Sequence, residues 1–136
     1  MSEINLQHEI ISWLNLYGHA VWKNEVFVMP GRNGSWRAPA NAHTPDIVGA
    51  LKDGRGIFIE CKEEKYREPV TELWENICRG NYSARIKFKL NNAKDTKRCL
   101  AQADHLDWIR TKTGGRALTM FAFHLRDVQL KLGIEP

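Results

Sequence analysis

Residues 44–62, TPDIVGALKDGRGIFIECK, narrow the folds open to this chain more than any other stretch. They hold two short apolar runs joined by a turn at Asp53-Gly54, with charge confined to the ends. Ile57, Phe58 and Ile59 form an almost wholly apolar segment, the pattern of an interior strand. In a strand, residues two apart face the same side. Glu60 and Lys62 therefore project together, and the preceding strand, opening on Asp46, can bring a second acid to meet them. An E-x-K triplet also occurs on solvated edge strands. Here both acids flank buried segments, where an uncompensated charge is costly. An Asp and a Glu converging beside a Lys is an arrangement that holds Mg²⁺ against a phosphodiester.

The rest of the chain supplies a frame around these strands, expected over 46–51 and 56–62. Ile4, Ile10, Ile11, Trp13, Leu14 and Tyr17 recur at helical spacing over 3–17, and Gly18 is a stop signal. Short strands are expected at 20–22 and 26–29, then a turn-rich loop over 30–43. Past a charged start, Val70, Leu73, Trp74 and Ile77 follow a helical pattern. Residues 84–90 alternate as a strand does, with Ile86, Phe88 and Leu90 on one side and Arg85, Lys87 and Lys89 on the other. Thr96 is a candidate cap for a helix to about 112, with Leu100, Ala103, Leu106 and Ile109 as its buried stripe. A strand over 117–123 and a short helix over 126–132 close the chain. The expectation is one α/β domain over 1–136, a mixed central sheet of about four strands flanked by helices.

At 136 residues the chain can bury a core without disulfide or metal staples. Its three cysteines and five histidines follow no metal-ligand spacing. Together with an N-terminus unlike a signal peptide, they read as reduced thiols in a soluble cytoplasmic protein. No segment has the apolar length of a membrane span. The net charge of +4 is unevenly spread. Arg79, Arg85, Lys87, Lys89, Lys94, Lys97 and Arg98 crowd one stretch opposed only by Asp95. Such a stretch suits a polyanion such as DNA, or serves as solvated surface. Arg32 and Arg37, with Asn33 and Asn41, offer further backbone contacts from the 30–43 loop.

Pro45-Asp46 followed by Glu60-Cys61-Lys62 resembles the PD-(D/E)XK nuclease motif. Within that superfamily the chain resembles the stand-alone VRR-NUC domains of phages and bacteria, relatives of Holliday junction resolvases. The opening helix, the segment Val21-Trp22-Lys23-Asn24, Gln102 and the closing strand and helix share in the resemblance. It implies a restriction-endonuclease-like core and metal-dependent DNA endonuclease activity that leaves a 5′-phosphate. Asp46, Glu60 and the carbonyl of Cys61 would bind Mg²⁺ or Mn²⁺. Lys62 would orient water or stabilise the developing charge, and Gln102 would hold the site from its helix. The resemblance also implies branched DNA, four-way junctions first, cut by a homodimer in a bacterial cell or phage-infected host.

Two departures stand out. The acid that resolvase-like relatives carry on the first helix is replaced here by Gln7, which can position a metal-bound water but cannot supply charge; Glu3, one turn earlier on the same face, ranks behind it as a substitute. The segment 63–95 is longer than in compact relatives and reads as an insertion, for substrate selectivity, a dimer contact through Trp74, Tyr82 and Phe88, or surface decoration. The alternatives to a junction nuclease are a DNA-binding protein that keeps the fold without cleaving, and a restriction-type nuclease reading a sequence.

Overall fold

The computed structural model describes residues 1–25, 29–30, 36–37 and 45–134, with the backbone alone at 29–30 and 36–37. Five helices and six strands follow in the order α1 (Glu3–Leu16), β1 (Ala20–Lys23), β2 (Met29–Pro30), β3 (Trp36–Arg37), β4 (Ile47–Ala50), β5 (Gly56–Cys61), α2 (Arg67–Cys78), α3 (Ala84–Lys87), α4 (Ala93–Lys112), β6 (Leu118–Ala122) and α5 (Leu125–Lys131). A 3-10 turn at Glu64–Tyr66 leads into α2. The main sheet runs β1-β4-β5-β6, antiparallel except for the parallel β5–β6 pair, so it is mixed and four-stranded as expected. β2 and β3 pair separately; β2 begins at the end of the strand expected over 26–29, and β3 lies inside the stretch expected to be loop.

Alternation along the strands sorts the side chains into two layers. Ile47, Ile57, Ile59 and Cys61 pack with Leu6, Ile10 and Leu14 of α1 and Val128 of α5. Phe58, Phe121 and Phe123 turn the other way, onto Val70, Leu73 and Ile77 of α2 and Cys99, Ala103 and Leu106 of α4. The 63–95 segment is thus no decoration: α2 shares with α4 the covering of the β5–β6 half of one sheet face. Trp74 is half-buried edge-on against Phe121, their ring centres 5.7 Å apart. Phe88 is buried too, leaving Tyr82, bonded to Asp107, as the exposed aromatic of the three.

Three local expectations are corrected. Residues 84–90 are not a strand, because Ala84–Lys87 coils into α3. Phe88 is then buried while Ile86 is 87% exposed, although alternation put them on one side. Asn92, not Thr96, caps α4, its side chain accepting from the Asp95 N–H at 2.8 Å. Thr96 instead takes the Leu90 N–H on its hydroxyl at 2.9 Å, pinning the chain that enters the helix. Finally, Ile4 and Tyr17 of the predicted α1 stripe are exposed, and Leu6 and Gln7 are buried in their place.

One glycine is required by close approach. A Cβ on Gly49 would lie 2.1 Å from the Ala20 carbonyl oxygen, so no other residue lets β4 lie this close to β1. The β4–β5 turn forms at Asp53-Gly54 as expected, with Gly54 at φ 95° and Asp53 accepting from the Arg55 N–H at 3.0 Å.

Candidate active site

Backbone register brings the two acids together. Ile47 pairs with Ile59, and one further step sets Asp46 opposite Glu60 on the α2/α4 side of the sheet. The same step sets Pro45 opposite Cys61. Proline has no N–H, so the ladder offers no donor from residue 45 to the Cys61 carbonyl. Asp46 reaches across instead, its Oδ2 accepting from the Cys61 N–H at 2.9 Å. Asn24 fixes the approach, donating its backbone N–H to the Asp46 carbonyl at 2.8 Å and its side-chain amide to the Pro45 carbonyl at 3.1 Å. Nothing in the spacing of the sequence singles out Asn24 for this task.

Glu60 is 2% exposed. Its Oε1 accepts from Gln102 Nε2 at 2.9 Å, whereas Oε2 has no donor among the described residues. Burial is the main force holding its carboxyl well above the ordinary glutamate range, followed by the charge of Asp46; Lys62 opposes the shift. Two acids set directly opposite on neighbouring strands repel when both are ionised. Lys62 is buried beside them, its backbone N–H held by the Ala122 carbonyl at 2.9 Å. A parallel strand end thus aims the lysine. The Oε1 atoms of Gln7 and Gln102 are likewise buried without a donor.

Glu3 lies on the face of α1 that carries Gln7, four residues on. Partial burial raises its carboxyl, Lys62 and Arg98 pull it down, and Asp46 and Glu63 push it up. It therefore shares the field of the site. Together with Lys62, Glu63, Asp95 and Arg98 it lines a cavity of about 130 Å³.

The expected DNA contacts divide. Arg98 lines this cavity, 3.5 Å from Asp95, and Lys97 is exposed next to it. Arg85 instead pairs with Asp104 at 2.7 Å. Lys87 and Lys89 line a separate cleft of about 360 Å³ between α2 and α3. Arg32 and the side chain of Arg37 lie outside the described residues. The Cys61 thiol points into the opposite layer, and burial pushes it up, as burial pushes Cys99 up to about 11. Burial thus keeps both in the thiol form rather than the reactive thiolate.

Among the described residues no three His, Cys, Asp or Glu side chains form a metal cage. The groups that do assemble are the carboxylates of Asp46 and Glu60 and the unpartnered Gln102 amide oxygen, with the backbone of Cys61 tied to Asp46 through its N–H. An all-oxygen set with acceptors lacking donors suits a hard divalent cation such as Mg²⁺ or Mn²⁺, and not the sulfur and imidazole donors preferred by zinc. The chain matches no family model, no curated protein and no solved structure.

Proposed function

We propose that this chain is a divalent-metal-dependent DNA endonuclease with a PD-(D/E)XK active site of the VRR-NUC type. The observation that carries the proposal is Glu60: a carboxylate sealed from water, facing a second carboxylate, with one oxygen left without a donor. Such an arrangement is unstable as a packing element and becomes favourable once a cation neutralises it.

Asp46, Glu60 and the Cys61 carbonyl are the groups that would hold Mg²⁺ or Mn²⁺. When bound, the cation supplies Lewis-acid polarisation of the phosphate and lowers the pKa of an attacking water. Lys62 provides positive charge where the phosphate develops negative charge during in-line attack. Gln102 fixes the Glu60 carboxyl by donating to Oε1, which leaves Oε2 directed to the ligand. Glu3 contributes the α1 carboxylate that Gln7 cannot. The substrate class we assign is branched DNA, four-way junctions first, cut by a homodimer whose two sites address two strands.

The test is cleavage of labelled junction, flap, single-stranded and linear duplex DNA with Mg²⁺ or Mn²⁺, comparing the wild type with Asp46→Ala. We expect metal-dependent cutting that falls on the order of 10²-fold or more in the variant. Binding without cutting under every metal condition would overturn the catalytic assignment and leave a DNA-binding protein with a nuclease fold.

A further inference from the structure

The α2/α4 side of the sheet is covered unevenly. Its helix-packed layer takes in Phe58, Phe121 and Phe123, but no described side chain of β1 or β4. Over the half that no described helix covers, Ala20 pairs with Ala50 and both are exposed, and Trp22 pairs with Val48, which is half-buried. On the opposite face the same two strands are sealed, with Val21 and Ile47 at 5% and 0% exposure. The result is a shelf of small and apolar side chains with one large flat ring, Trp22, 57% exposed.

A single exposed tryptophan is unremarkable by itself. This one is placed by register. Trp22 is opposite Val48, and Asp46 lies two residues before Val48 on the same face, so ring and carboxylate are diagonal neighbours across adjacent strands. Diagonal neighbours lie roughly 7–8 Å apart, within reach of an aromatic side chain. The shelf therefore runs into the carboxylate pair on the same face of the sheet.

Resting on the nuclease reading above, we propose that Trp22 is a specificity-determining residue that stacks on a nucleobase beside the scissile phosphate. Stacking on an aromatic ring accepts any base, because every base has a π-face. In intact duplex both faces of a base are already covered by its neighbours. The ring can engage only a strand whose base is unstacked, so the substrate class is single-stranded or splayed DNA, as found at a branch or flap.

Binding of a fluorescein-labelled single strand and of the matching linear duplex is to be measured by anisotropy, with Ca²⁺ in place of Mg²⁺, for wild type, Trp22→Ala and Trp22→Phe. We expect Trp22→Ala to weaken single-strand binding by about 5- to 100-fold, with Trp22→Phe restoring most of it. Because the ring is exposed, both variants should melt close to wild type. Equal losses on single strand and duplex, or no loss on either, overturn the stacking role while leaving the nuclease in place. A wild type that neither binds nor cuts any DNA overturns the nuclease reading itself.

Discussion

Ile59 and Glu60 are neighbours on β5 and equally hidden, at 0% and 2% exposure, yet they face opposite layers of the sheet. Ile59 enters a layer built of α1, α5 and apolar strand residues, where every neighbour returns the contact. Glu60 enters the other layer at the point where Asp46 and Lys62 also arrive and one of its oxygens finds no donor. Equal burial thus has opposite consequences. Apolar burial removes surface from water and stabilises, whereas burial of a carboxylate against another carboxylate costs stability that only a cation or a proton restores.

The largest expected effects break that contrast from each side. Ile59→Ala should cost about 2–5 kcal/mol at any pH, through lost transfer free energy and the cavity left behind. Glu60→Gln should act in the other direction. The folded-state pKa of Glu60 lies above its ordinary value of 4.5, so the stability contributed by its protonated form is complete below that value. That contribution is lost as pH rises through the folded pKa. A neutral glutamine escapes the loss, so metal-free Glu60→Gln should exceed the wild type in stability by a margin that widens as pH rises from 4.5. Added Mg²⁺ should narrow the margin, by stabilising only the wild type. Denaturant unfolding across pH measures this; a margin that stays flat would show that ionising Glu60 carries no penalty.

What the sequence made legible follows the same division. The apolar-then-charged ends of 46–51 and 56–62 located Asp46, Glu60 and Lys62, because a two-residue period needs no tertiary information to assign faces. Gln102 was placed by the resemblance and meets Glu60 at 2.9 Å. The misreadings fell where pattern and packing diverge. Residues 84–90 alternate like a strand, but the segment is short, has no strand beside it among the described residues, and is anchored by Phe88 in the α2/α4 layer and by Arg85 on Asp104. The roles of Asn24 and of the missing N–H of Pro45 depend on which residues register sets opposite each other, and one sequence does not carry that information.

A middle-sized effect sharpens the contrast away from the site. Asp127, in the first turn of α5, accepts from the Phe123 and His124 N–H groups at 2.9 Å each and from Arg67 Nη1 at 2.9 Å. It joins α2 to α5 across the edge of the sheet, and here a half-buried carboxylate has all the donors Glu60 lacks. Asp127→Ala should lower stability by about 1–3 kcal/mol, through lost capping and orphaned donors. Thermal melting checks the loss. If the chain cuts DNA as proposed, the metal dependence of that cleavage should not shift with it, since Arg67 and Asp127 bond to each other and to the start of α5 rather than to Asp46 or Glu60.

The smallest effect separates the two halves of the basic stretch. Arg85 and Asp104 form a surface pair, their side chains 38% and 47% exposed, and such pairs contribute at most about 1 kcal/mol. Arg85→Ala should therefore leave stability almost unchanged. Its charge is already answered by Asp104, so removing it should also leave the salt dependence of DNA binding unaltered. Arg98 is held less closely by Asp95, at 3.5 Å, and shares its cavity with Lys62. If it meets a phosphate there, Arg98→Ala removes one released counterion and makes the negative slope of log K against log salt shallower by about 0.9. Equal slopes for the two variants would place the DNA backbone on neither arginine or on both, and would remove the distinction drawn between the α3 segment and the mouth of the site.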